Sequence, residues 1–543
     1  MISPLSSPGS ARYRVLSSNS EELPLSPTSS YTQPRVTSAP RGIAEEEISA
    51  EETLASIESE TANLISSPNP TESITYRAAI NQLFKPSVSL SLSSLGTVLH
   101  GIVSGIAIRH LSQNEMAAIP LAVASAGQIK GLVQGILTPT CVFVGELNGA
   151  QEKARIGEIV AQSWWVSGAL SLPTILLLRN VSASLSTLGI SEEVSQAAQK
   201  YCDAASYSVM PSFLLASDLF FARGNKQPEI VLIVGTVNAA LSSFLGYTLT
   251  LGAFGFPRLG VAGLGYGDAL AISLSSIGLR LYYKFSEQYD EFKLFDWHLP
   301  NFKDISTLFK VGLPIGLSNV FVSAHAVILS LLAGNLGKEV SIAQEVSSTP
   351  LSAVDTMLVG LVLATSVEIA NAMGELKAAV ENREGATLTE HLQQNVRRFG
   401  NAGLIIGLSA ACCAFLLFTG FSKQISEIFL DTSQDIPKET LPLAQTLLFI
   451  NSVGLIIDTL KNISTSNLLS MQDTLFASIL DTAGNLLGLS AGAYLSSEAN
   501  KKAEWLFIGQ VLGSLVAALA ITHRWLKKSN FDQNKNIDIH RLA

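Results

Sequence analysis

The sequence predicts an all-α polytopic membrane protein: twelve transmembrane helices in two six-helix lobes, related by a pseudo-two-fold axis along the membrane normal. Three observations predict it. Of 543 residues, 47% are hydrophobic and only 15% charged, with a mean hydropathy of +0.34, whereas a soluble domain carries about 25% charged residues. Apolar runs of about 20 to 30 residues recur from residue 84 onward, each long enough to cross a hydrocarbon core of about 30 Å as a helix. The second half of the chain also repeats the first at a fixed offset.

Residues 1–80 read as a disordered acidic tail on the cytoplasmic side. They are rich in Ser, Pro, Thr and Glu, and cannot bury enough apolar surface to offset the entropy of ordering. Its stretch "IAEEEISAEETLASIESE" reads either as solvated chain or as an acidic helix for a cytoplasmic partner. The opening residues lack the apolar core of a secretory signal. Twelve spans follow: 84–108, 116–145, 156–178, 202–222, 228–251, 261–283, 305–333, 340–372, 399–420, 441–469, 472–496 and 503–526. Lipid offers no partner to backbone N–H and C=O groups, so spans must be helices or a closed barrel. The strict alternation of a barrel is absent. Residues 81–290 then form an N-lobe of helices 1–6, residues 291–528 a C-lobe of helices 7–12, and residues 529–543 a short C-terminal tail.

Between spans five and six lies "GAFGFPRLGVAGLGYGDA", from Gly252 to Ala269. A dinucleotide-binding loop would need a strand before it and an acid about 20 residues on. Here apolar helical runs flank it. It reads as a hairpin broken at Gly252, Gly255 and Pro257, followed by a helix whose Gly260, Gly263, Gly265 and Gly267 allow close packing. The four cysteines, Cys141, Cys202, Cys412 and Cys413, have no CxxC spacing and sit in apolar runs, so neither structural zinc nor a disulfide framework is expected. No HExxH, P-loop or GxSxG motif occurs, which predicts no enzyme, no catalytic residue, no metal and no cofactor. Outside the tail the chain is apolar and mildly acidic, unlike a nucleic-acid partner.

A shift of 225 residues lays "HLSQNEMAAIPLA" at 110 on "NLGKEVSIAQEVS" at 335, Gly135 on Gly360, and "GELNG" ending at Gly149 on "ANAMG" ending at Gly374. Each half has six spans, an even number, so both share one orientation. This is the parallel repeat of alternating-access transporters. With the N-terminus in the cytoplasm, inner loops carry about 15 basic residues and outer loops about nine, a positive-inside bias. Both termini are then cytoplasmic, in a bacterial inner (plasma) membrane.

Three stretches together resemble the multidrug and toxic compound extrusion (MATE) family over about residues 80–527. They are the glycine hairpin, "GELNGAQEKARIGEIVAQSWW" across helices two and three, and "GLPIGLSNVFVS" at 312–323. The resemblance implies two lobes around a central cavity and export of bulky, often cationic, amphipathic compounds. It further implies antiport against H⁺ or Na⁺ bound by acids inside the lobes.

Charges inside a span cost about 2.5–3.5 kcal/mol each on insertion scales, so each asks for a function. Asp458, in mid-span ten, matches an acidic position the family uses for ion coupling. Lys461 lies on the same helical face, three residues on, so a purely structural pair is the competing reading. The family's acids on helices one and seven fall here on Ser104 and Val322. That puts Na⁺ in doubt and favours H⁺, because Val322 offers no side-chain oxygen. Lys130 in span two and Asp355 in span eight are related by the 225-residue shift and carry opposite charge. Either they pair across the lobes in one state, or they line a wet cavity separately. Glu345 stands where the family pattern usually has an amide, and Glu368 lies near the cytoplasmic end of span eight. His325 titrates near neutral pH or is a helix contact. Gln134, Asn319 and their like line a polar cavity or bridge helices. Asp203, Asp218, Asp473 and Asp481 stay unassigned.

Three functions compete: an ion-coupled exporter of amphipathic small molecules, a flippase for a lipid-linked precursor, and a non-transporting scaffold that recruits a partner through its tail. A flippase calls for several deep cations to hold a pyrophosphate. Lys130 is essentially the one such residue, which favours the exporter.

Overall fold

The computed structural model describes residues 73–187, 189–429, 440–498 and 502–531. The predicted tails therefore lie largely outside the described residues. Within them the chain is α-helical, with two short 3₁₀ turns and no strand. The N-lobe runs through α1 (Tyr76–Ile108), α2 (Gln113–Leu137), α3 (Pro139–Gly149), α4 (Lys153–Leu178), α5 (Val181–Thr187), α6 (Glu192–Ser206), α7 (Val209–Gly224), α8 (Pro228–Leu251) and α9 (Val261–Phe285). The C-lobe runs through α10 (Phe302–Leu336), α11 (Lys338–Glu381), α12 (Ala386–Gly420), α13 (Ser422–Phe429), α14 (Thr440–Ser470), α15 (Thr474–Glu498) and α16 (Glu504–Lys528).

Twelve spans result, with two of them broken. Pro139 cannot donate to the preceding turn and takes the first position of α3, which splits the second span into α2 and α3. The fourth span is α6 and α7, bent by 54° at residues 207–208. The first helix starts at Tyr76, earlier than hydropathy marks it, because the Thr75 side chain accepts from the Ala78 N–H and caps it. Among the described residues, eight segments are long and apolar enough to cross a membrane, nine with the bent pair counted as one. The other three, α1, α9 and α15, carry His100, Asp268 and Asp481, side chains that build the sites below.

The glycine stretch is the expected hairpin. Gly252 closes α8 in the left-handed region (φ 74°), where a side chain would be strained. Gly263 and Gly267 then rest on the α8 backbone at Leu249 and Gly246, and Gly265 rests on α6 at Tyr201. The same device joins α15 to α16. Gly484, Gly488 and Gly492, four residues apart, face Gly509 and Gly513, so the two backbones touch. A Gly509→Leu change must push them apart. We expect it to destabilise the C-lobe by about 1–3 kcal/mol, the usual cost of overpacking. A lowered melting temperature of the detergent-purified chain would report it, and an unchanged one would show that these helices do not depend on this contact.

The repeat reappears as paired contacts between the lobes. Gly149 of α3 seats against the backbone of Asn371 in α11, and Gly374 of α11 seats against the backbone of Glu146 in α3. The 225-residue shift converts the first contact into the second. Likewise Gly135 of α2 meets Gly316 of α10, and Gly360 of α11 meets Ser91 of α1. Gly131 and Gly127 continue the α2 face of Gly135 at helical spacing, yet a Cβ at either would find no atom within 4 Å. The lobes thus touch from this crossing to the end that carries the turns at 150–152, 225–227, 382–385 and 471–473, and separate beyond it.

Candidate functional site

In the C-lobe, α10, α11, α14, α15 and α16 enclose a cavity of about 360 Å³. Its floor is a charged cluster. The Lys461 ammonium, on a side chain only 9% exposed, stands 3.0 Å from Asp458 Oδ1 and 3.0 Å from Asp481 Oδ1. Asp458 and Lys461 share α14, one turn apart. Asp481 comes from α15 and is fixed further by Ser318 Oγ (3.3 Å) and Asn485 Nδ2 (3.1 Å), which donate to it. Asp458 is held less fully. Its Oδ1 is buried, while the side chain is 37% exposed, so the rest of the carboxyl group is accessible from the cavity. Asp355 of α11 and His325 of α10 complete the wall. Among the described residues, the buried Nε2 of His325 has no hydrogen-bond partner. Three carboxyl groups thus face one ammonium group and one imidazole.

The N-lobe gathers a counterpart around Asp268 of α9. His100 Nε2 of α1 lies 3.4 Å from its Oδ1, and Tyr201 of α6 and Ser242 of α8 lie beside the same carboxyl group. Lys130 of α2 is near enough to act on it electrostatically and donates to Ser208 Oγ at 3.3 Å. Five spans therefore converge on one carboxyl group.

At the turn-bearing end, buried charges tie lobe to lobe. Glu146 of α3 accepts from Lys377 of α11 at 2.9 Å and from Gln472 at 3.0 Å. Glu368 of α11 accepts from Lys226 at 2.8 Å and from Gln82 of α1 at 2.9 Å. Asn148 donates to Asn371 at 2.8 Å. These bonds bridge surfaces that must part if the cleft is to open at this end.

A family model named MatE matches residues 90–248, spans one to five. The multidrug resistance protein NorM of Aliivibrio fischeri is 25% identical over 402 residues, covering 73% of this chain and 82% of its own. NorM of Vibrio cholerae is 24% identical over 478 residues, covering 86% and 99%. Among solved structures, one described as the outward-facing conformation of a multidrug resistance MATE transporter aligns over 85% of this chain and 97% of its own, with a TM-score of 0.73 at 16% identity. The eukaryotic MATE transporter AtDTX14 aligns over 86% and 99%, with a TM-score of 0.70 at 16% identity.

The chain resembles the MATE family, in sequence over spans one to five and in fold over most of its length.

The MATE layout of twelve helices in two lobes is the one observed, and members of this family are integral membrane transporters. Within that layout the structure distributes the candidate residues unevenly. Asp458, Lys461, Asp355 and His325 meet in one cavity, and Val322 lines its wall. Asn319 lines an adjoining recess that shares Val322, Asn462 and Asp481 with it. Ser104 lies 3.5 Å from His100, so it belongs to the N-lobe cluster without supplying a carboxyl group. Gln134 is exposed beside the lobe crossing. Glu345 is exposed, its carboxyl group accepts from Thr349 at 3.2 Å, and it does not line the cavity.

Lys130 and Asp355 are not paired in this conformation. Each turns into its own lobe, Lys130 toward Ser208 and Asp268, Asp355 toward Asp458 and Lys461. The reason is geometric: residues exchanged by a two-fold axis meet only if they lie near it. The contacts near the axis are made by Glu146, Gly149, Asn371 and Gly374.

Sequence reasoning missed Asp481, Asp268 and Glu146, and the partners of Glu368. Asp481 passed for a residue near a helix end, and Asp268 for part of the hairpin. The pairs of Glu146 and Glu368 lie 231 and 142 residues apart in sequence. The repeat held a usable signal, since the 225-residue shift takes His100 to His325 as it takes Lys130 to Asp355. Two other unassigned acids are structural. Asp218 accepts from Trp164 and Arg280, both at 2.8 Å, and Asp473 pairs with Arg524 and Lys528.

Proposed function

We propose that this MATE-like transporter exports amphipathic, often cationic small molecules by antiport against protons, through alternating access of its two lobes. The observation that carries the reading is the Asp458 carboxyl group, exposed to a cavity on one side and buried against Lys461 on the other. A carboxyl group so placed can hold a proton or face a cationic substrate, but not both at full strength. Competition between the two is the elementary step of antiport. The NorM relatives, named for multidrug resistance, support the substrate class. H⁺ is favoured over Na⁺ because helix seven brings Val322 to the cavity wall instead of an acid.

The Lys and Arg bias of the loops supports placement in the plasma membrane with both termini in the cytoplasm. In that orientation the bonded end faces the cytoplasm and the separated lobes face outward.

Purified protein in liposomes, loaded with a fluorescent cationic dye, tests the proposal. An imposed pH gradient should drive dye movement and a Na⁺ gradient of equal size should not. Movement driven by Na⁺ alone would overturn the proton reading, and movement under neither gradient would overturn the exporter reading.

A further inference from the structure

The place between the Asp458 and Asp481 carboxyl groups is where a small hard cation would sit. Two carboxyl groups flank it, and the same cavity wall also holds Asn451, Asn462 and Ser352. The chain fills that place itself. Lys461 sets its ammonium group 3.0 Å from an oxygen of each carboxyl group, on a stem rooted one turn from Asp458.

We propose that Lys461 is a tethered cation that occupies an otherwise competent monovalent-metal site and so makes the C-lobe indifferent to Na⁺. This rests on reading the C-lobe carboxyl groups as the coupling site.

Two features argue that the site is more than a structural ion pair. First, the two carboxyl groups are held unequally. Asp481 keeps Ser318 and Asn485 when the ammonium group moves, whereas Asp458 keeps an open face to the cavity. A structural pair would be expected to bury and saturate both. Second, the same wall holds the buried, unpartnered Nε2 of His325, a polar group that an empty apolar niche would not tolerate. Charge counting gives the consequence. With Lys461 removed, Asp355, Asp458 and Asp481 face one cavity with no cation, and an uncompensated charge in such a place is strongly unfavourable. The site must then take up protons or a metal ion, and the oxygen ligands suit Na⁺.

Lys461→Met keeps most of the stem and removes the charge. The test is equilibrium binding of radioactive Na⁺ to the full-length, detergent-purified chain at pH 6 and pH 9. The native chain should bind no Na⁺ saturably at either pH. Lys461→Met should bind about one Na⁺ per chain, at pH 9 at least about ten-fold above native, and less at pH 6, where protons compete. Adding Asp481→Asn to Lys461→Met should abolish the binding. Saturable Na⁺ binding by the native chain would overturn the proposal. So would a monodisperse Lys461→Met chain that binds none at either pH, or binding that survives Asp481→Asn. Binding is read without transport, so a native chain that moves no dye would sink the exporter reading while leaving this one standing.

Discussion

Asp458→Asn should abolish gradient-driven dye movement while leaving the protein folded. The amide keeps the size of the carboxyl group and loses both the exchangeable proton and the negative charge. Transport should therefore fall to that of liposomes without protein. Lys461 retains Asp481 at 3.0 Å, so the helices around the cavity keep an ionic bond and the melting temperature should change little. Asp458→Glu, which restores the proton but shifts it by one methylene, should recover part of the activity. Full transport by Asp458→Asn would remove this residue from the mechanism. Loss of both transport and melting temperature would make Asp458 a structural residue.

Lys377→Met should open the turn-bearing end. Glu146 is buried there, and Lys377 is its countercharge, with Gln472 the remaining donor. Breaking a buried pair by removing one partner costs about 3–5 kcal/mol. That cost falls only on the conformation in which the lobes meet, because Glu146 and Lys377 belong to opposite lobes and are free to hydrate once apart. Even a third of it would shift the balance between conformations about ten-fold. Spin labels at Gln151 and Glu384, in turns of opposite lobes, should show a longer and broader distance distribution in Lys377→Met than in the native chain. Lys377→Met combined with Glu146→Gln should fall back toward native, since no bare charge then remains. An unchanged distribution in the single variant would mean that the glycine contacts at Gly149 and Gly374, and not the ion pair, hold this end closed.

The helical spans, the hairpin and the two-fold repeat were legible in the sequence because each depends on local composition: apolar runs, Gly252 with Pro257, and glycines at helical spacing that recur after 225 residues. Asp458 was legible for a similar reason, as a charge in mid-span. What stayed hidden depends on which helices become neighbours. Asp481 becomes part of the site only because α15 lies against both α10 and α14, which brings Ser318 and Lys461 to it. Asp268 gains its meaning from four other spans. Lys130 and Asp355 do not pair in this conformation, because symmetry-related residues meet only near the axis. The bridges at Glu146 and Glu368 show where proximity to the axis lies.

The central claim is that one carboxyl group, Asp458, holds the proton when the substrate is absent and faces the substrate when it is present. Proton release on binding tests it most directly. A cationic dye is added to the detergent-purified chain in weak buffer, and a pH indicator reads the solution while dye fluorescence reads the binding. The account predicts a pH range in which the native chain releases up to about one proton per bound dye, and no release by Asp458→Asn at any pH. Release that persists unchanged in Asp458→Asn, or dye binding by the native chain without release at any pH, would contradict it.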